Sequence, residues 1–138
     1  MARREEAVID ASVVIKWFSE EENTQNALKI REEHINGNRT LSAPDLLIYE
    51  IANALRYKKG FDQQKIARAV TDLTDLQIDI VTPGKDLMER AVELAYTYDT
   101  TVYDSCYLAL GELMGVNVFT ADKRLHQKAK GSGLLSLI

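Results

Sequence analysis

The chain has 138 residues, 46% of them hydrophobic and 28% charged, with a formal net charge of −4. That balance leads us to expect a single soluble globular domain spanning residues 1–138 and large enough to bury a core; no apolar run approaches the length of a membrane span. The single cysteine excludes an internal disulfide and any cysteine-rich zinc site. The charged start MARREE lacks the apolar stretch of a signal peptide, so the expected location is cytoplasmic.

In chain order, the apolar run AVI at residues 7–9 reads as the first strand of a covered sheet, and the Ala-Ser step after Asp10 as the turn into a helix beginning near Val13. Asp10 therefore sits at the C-terminal end of a strand. Ligands bind at that edge of open α/β sheets, but an acid there can equally cap the next helix. The acidic break SEEEN precedes a second helix over Thr24 to His34, INGN makes a turn, and RTLSAP gives a second strand. Pro44 suits the first turn of the helix carrying DLLIYEIANALRYKKG, which Gly60 stops. A partner helix from Asp62 to Leu76, a strand QIDIVT and a helix from Lys85 to Tyr98 follow. A further helix opens at Asp104 and ends near Gly115. VNVFTAD then repeats the opening pattern of apolar strand and acid, KRLHQKAK forms a helix, and GLLSLI supplies an edge strand. Strands separated by helices predict a three-layer α/β/α sandwich around a mainly parallel, twisted sheet. No linker, repeat or low-complexity tract divides it.

Four acids stand where a carboxylate is not the cheapest residue for the fold. Glu50 lies on a helix with Leu46, Leu47, Ile51, Ala54 and Leu55, and apolar residues flank it on both sides at helical spacing. The competing reading is a Glu on the exposed edge of an amphipathic helix. Asp104 and Asp122 can each be helix caps, although Thr120 offers another cap just before Asp122, as Ser12 does after Asp10. Two strands that each end in an acid would aim both carboxylates at one sheet edge if they are parallel neighbours. Glu50 and Asp104 can complete the cluster. Gathered like charges repel and raise one another's pKa unless a cation neutralises them, and all-oxygen donors favour Mg²⁺ or Mn²⁺. Cys106, in YDSCYLAL, reads as a small buried hydrophobe, and His34 and His126, among charged neighbours, as surface residues.

The stretches VIDASVVIKWF, LLIYEIANAL and TVYDSCYLALGELMGVNVFTADKRL together resemble the PIN domain, and within it the VapC-type toxins of prokaryotic toxin–antitoxin pairs. The resemblance covers essentially the whole chain from Val8 to the final strand. It rests on the order and spacing of motifs that are individually weak. It carries the family's active-site acids over to Asp10, Glu50, Asp104 and Asp122, with the hydroxyls of Ser12 and Thr120 as supports. Asp99 fits a loop before the matching motif and is not carried over. Ser105 and Cys106 depart from the small apolar residues usual there.

The resemblance implies a Mg²⁺- or Mn²⁺-dependent endoribonuclease acting on single-stranded or looped RNA, a homodimer, and control by a small antitoxin protein. An overall negative charge opposes an RNA substrate. With the four site acids set against bound cations, however, 17 of the 21 acidic residues remain against 17 basic ones. Lys16, Lys58, Lys59, Lys123 and Arg124 are candidates for steering phosphates, each also readable as an ordinary solvated cation. Tyr and Phe residues fall mostly in helical apolar patterns and read as core. A phosphoacceptor receiver domain would need an Asp after a central strand, whereas the third strand ends IVTPGK. A non-enzymatic, metal- and RNA-binding PIN-like module stays open as the alternative.

Overall fold

The computed structural model describes residues 5–138, so the first four residues of the charged MARREE segment lie outside it. Five strands form one sheet in the order β3-β2-β1-β4-β5. They are β1 (Glu5–Ile9), β2 (Arg39–Pro44), β3 (Asp79–Val81), β4 (Val118–Thr120) and β5 (Leu135–Leu137). All four pairings are parallel. The central strands are buried on both faces, and this accounts for apolar runs in place of alternation: Ala7, Val8 and Ile9 in β1, and Leu41 to Pro44 in β2, are all inaccessible.

Among the described residues seven α-helices connect the strands: α1 (Ala11–Val14), α2 (Thr24–Ile35), α3 (Leu46–Arg56), α4 (Gln63–Asp75), α5 (Lys85–Tyr98), α6 (Val102–Met114) and α7 (Lys123–Lys128). The steps β1 to β2 to β3 run one way along the sheet, and β3 to β4 to β5 run the other. Right-handed crossovers therefore put α1–α4 on one face and α5–α7 on the opposite one, which makes three layers. Helix α6 packs on β1, β2 and β4 and is buried from Ser105 through Gly111. It lies so close to β4 that a Cβ on Gly111 would fall 2.5 Å from Val118 Cγ2. The reversal of direction leaves a topological switch point between β1 and β4, where a crevice opens at the strands' C-terminal ends.

Three local expectations are corrected. Pro44 ends β2 and does not open a helix. It stands past the last pairing with β1, Val8 with Ser42, where a missing N–H interrupts no bond to that strand. Helix α6 starts before Asp104, because Thr101 is its cap and accepts the Asp104 N–H at 3.0 Å. His34 is no free surface residue: Nδ1 accepts the Leu41 N–H at 3.1 Å and Nε2 lies 2.7 Å from the Leu76 carbonyl oxygen. Those two partners fix the neutral ring with its proton on Nε2, tying α2 to β2 and to the end of α4.

Candidate active site

Asp10 emerges from β1 at the switch point, its N–H bonded to the Phe119 carbonyl of β4 at 2.9 Å. Its backbone carbonyl accepts the Val13 and Val14 N–H groups, so it occupies the cap position of α1, but its carboxylate makes no capping bond. Instead Oδ2 accepts the Ser12 hydroxyl at 2.6 Å and the Thr120 hydroxyl at 3.0 Å. Each hydroxyl in turn accepts a backbone N–H, Ala121 to Ser12 at 2.8 Å and Asp122 to Thr120 at 3.1 Å. A hydroxyl has one proton, and both protons are directed at Asp10. The 3.2 Å approach of the two hydroxyl oxygens is therefore a contact between acceptors. Two backbone amides thus polarise two hydroxyls toward one buried carboxylate. Oδ1 accepts no bond from the described residues. Ser12 serves here and does not cap α1.

Burial is the largest influence on Asp10 and pushes its pKa up to about 6. The two hydroxyls oppose the rise, and the charges of Asp104 and Asp122 add to it. Glu50, half-buried on α3, is also raised by burial, opposed by a 2.7 Å bond from the Tyr107 hydroxyl and reinforced by the charges of Asp10 and Asp104. Asp104, in the first turn of α6, is raised by burial, opposed by Thr101 and Lys128 and reinforced by Asp122. Asp122 caps α7, its Oδ1 accepting the Leu125 N–H at 3.0 Å. The four acids thus come from β1, α3, α6 and the β4–α7 junction, and each is within electrostatic reach of another at one edge of the sheet.

All four are hard oxygen donors. Among the described residues no three acids, histidines or cysteines close into a ready-made ligand cage. Carboxylate oxygens are the donor type that a hard divalent cation would take. Asp10 through its free Oδ1 has the strongest claim to a direct contact.

Beside the acids runs a groove lined by Asp99, Thr101, Asp104, Asp122, Arg124 and Lys128, among others. Lys128 reaches across it to the Asp99 carbonyl at 2.8 Å, a contact the sequence did not suggest. Asp99 is the left-handed C-cap of α5 and its side chain is fully exposed. Of the candidate cations, Lys16 is spent within its own loop, donating to the Glu22 carbonyl at 2.6 Å with Glu21 beside it. Lys58 also pairs with Glu21. Lys123 is exposed and stands 3.9 Å from Glu22, while Lys59 is exposed. Only Arg124 of the five lines the groove. Tyr107 is the other residue missed: its helical spacing marks it as core, which its ring is, and nothing local announces a partner 57 positions away.

Comparison with known proteins agrees with this architecture. Ribonuclease VapC3 of Pyrobaculum aerophilum is 28% identical over 125 residues, covering 88% of this chain and 92% of that protein. The structure of Mycobacterium tuberculosis VapC20, described as a sarcin-ricin loop cleaving toxin, superposes with a TM-score of 0.72 at 14% identity over 93% of this chain and 95% of that one. A toxin–antitoxin complex from Klebsiella pneumoniae gives 0.71 at 18% identity over 94% and 95%. The sequence model of the PIN domain matches residues 7–131, and with nine-tenths of its length so matched the chain belongs to the PIN domain family.

Proposed function

We propose that this protein is a divalent-metal-dependent endoribonuclease, the toxin of a toxin–antitoxin pair. The observation that carries the reading is the Asp10 carboxylate: buried, clamped on one oxygen by two hydroxyls, and within electrostatic reach of Asp104, Asp122 and Glu50 at a switch-point crevice. A structural acid is seldom left with an unused oxygen and unneutralised neighbours, whereas a cation site needs both. The similarity to ribonuclease VapC3 supports the RNA substrate.

When bound, Mg²⁺ or Mn²⁺ would neutralise charge at the scissile phosphate and acidify a water for attack. The chain's residues do the rest. Asp10 presents Oδ1 in a fixed direction because Ser12 and Thr120 hold Oδ2. Asp122 is held by its capping bond to Leu125 and Asp104 by the first turn of α6, while Glu50 faces them from α3 and can orient the attacking water. Arg124 on the groove wall, with the exposed Lys123 preceding it in α7, can contact phosphates flanking the scissile bond. Affinity for a nearly neutral surface of this kind should depend modestly on salt. A small antitoxin partner and a homodimer complete the reading, the former supported by the similarity to a toxin–antitoxin complex. A cytoplasmic location goes with an RNA substrate, and none of the described helices is long and apolar enough to cross a membrane.

The test is cleavage of unstructured RNA by purified protein in EDTA, Mg²⁺, Mn²⁺ and Ca²⁺. Activity is expected with Mg²⁺ and Mn²⁺, little with Ca²⁺ and none in EDTA. Full cleavage in EDTA would remove the mechanism. Binding of RNA and metal without cleavage would establish the non-enzymatic module.

A further inference from the structure

Tyr107 is wholly buried in the second turn of α6, and its hydroxyl donates to Glu50 Oε1 on α3 at 2.7 Å. The two helices approach the site from opposite faces of the sheet, so this bond is a strut across the crevice. A phenylalanine would fill the same apolar space without the desolvation cost of a hydroxyl. The hydroxyl is therefore explained by its partner and not by packing. Glu50 in turn needs holding. Its side chain is long and half-buried, and the charges of Asp10 and Asp104 bear on it, so unaided it would swing outward to water. Oε2 accepts no bond from the described residues and remains available.

We infer that Tyr107 is a positioning residue: its hydroxyl holds Glu50 inside the acid cluster, fixing Oε1 and presenting Oε2 to a divalent cation or to that cation's water. The inference rests on the reading of Glu50 as part of a metal site. Tyr107 does not touch substrate or metal, and acts only through Glu50.

The experiment is a double-mutant cycle of Tyr107→Phe and Glu50→Ala, with Mn²⁺ affinity measured by calorimetry, RNA cleavage, and melting in EDTA. Tyr107→Phe should weaken Mn²⁺ binding by roughly ten-fold, the order usual for residues that orient metal ligands, while the EDTA melting temperature stays near that of the parent. In the Glu50→Ala background the same change should cost nothing further. Unchanged Mn²⁺ affinity in Tyr107→Phe would overturn the inference, as would an equal loss in both backgrounds, which would mean a structural role. If Glu50→Ala alone alters neither Mn²⁺ binding nor cleavage, the assignment of Glu50 to the metal site fails first, and the strut loses its purpose.

Discussion

The β1–α1 and β4–α7 segments are written alike: an apolar strand, an acid, a helix, and a hydroxyl two residues from the acid. The structure uses them differently. Asp122 spends one carboxylate oxygen on the Leu125 N–H and is partly accessible, as an ordinary cap would be. Asp10 sits at a cap position, makes no capping bond, and is buried under hydroxyls donated by both segments, Ser12 from its own and Thr120 from the other. Adjacent parallel strands bring both hydroxyls to one acid, so the asymmetry arises from pairing and not from either local sequence. What distinguishes the two acids is which donors reach the carboxylate.

The comparison breaks most visibly at Asp10→Asn. If Asp10 holds the cation directly, as proposed, removing the charge should lower RNA cleavage by at least about 100-fold. Stability should move the other way. A carboxyl whose pKa is raised from 3.8 to about 6 on folding binds its proton more tightly in the folded state. Its stabilising contribution is thus full below about pH 4 and is lost as pH rises to about 6, leaving a deficit of roughly 3 kcal/mol at pH 7 in the absence of metal. Urea unfolding in EDTA across pH 4–7 should show this decline in the parent and a flatter profile in Asp10→Asn, which should be as stable as the parent or more so at pH 7. A variant that is markedly less stable in EDTA at neutral pH would make Asp10 a structural residue like any cap.

Metal addition should act on the same deficit. A ligand present at a hundred times its dissociation constant stabilises the folded state by about 2.7 kcal/mol, so Mg²⁺ or Mn²⁺ should raise the melting temperature of the parent. The gain should vanish in Asp10→Asn. A gain that survives the substitution would place the cation elsewhere.

Much of the fold was legible because it is locally encoded. The strand RTLSAP and the helix Lys85–Tyr98 have the bounds that the pattern alone supplies, whereas β1 extends two residues before its apolar run, to Glu5. Pro44 was misread because a proline ending a strand and one opening a helix use the same φ, and only the pairing of β2 with β1 and β3 distinguishes them. His34 reads as a surface residue because the REE before it is charged, while its partners, Leu41 and Leu76, lie outside its own helix. The acids drew notice through their apolar company and through family resemblance. Their grouping at one edge depends on the order β3-β2-β1-β4-β5, and nothing in the chain announces that β4 inserts beside β1. The Tyr107 bond was invisible for the same reason.

A smaller effect sharpens the role of the shared hydroxyls. Thr120→Val keeps the side chain's shape but removes one donor to Asp10 and leaves the part-buried Asp122 N–H without its acceptor, at a cost of about 1 kcal/mol. With only Ser12 opposing burial, the Asp10 pKa should rise above about 6, and the pH window over which stability declines should extend upward by the same amount. The unfolding profile in EDTA reads both. A window that stays in place would show that Thr120 contributes shape and not its proton.

The smallest expected change isolates the other half of the pair. Asn caps helices about as well as Asp, whereas Ala at a cap position costs about 1 kcal/mol. Asp122→Asn should therefore keep the bond to the Leu125 N–H and leave stability in EDTA nearly unchanged, while Asp122→Ala should lose about that 1 kcal/mol. If Asp122 also serves the cation through its charge, both variants should weaken Mn²⁺ binding to a similar degree despite their different stabilities. The two properties would then separate cleanly: stability follows the cap bond and affinity follows the charge. Should Asp122→Asn bind Mn²⁺ as the parent does, Asp122 is only a cap, and the site reduces to the three acids carried by β1, α3 and α6.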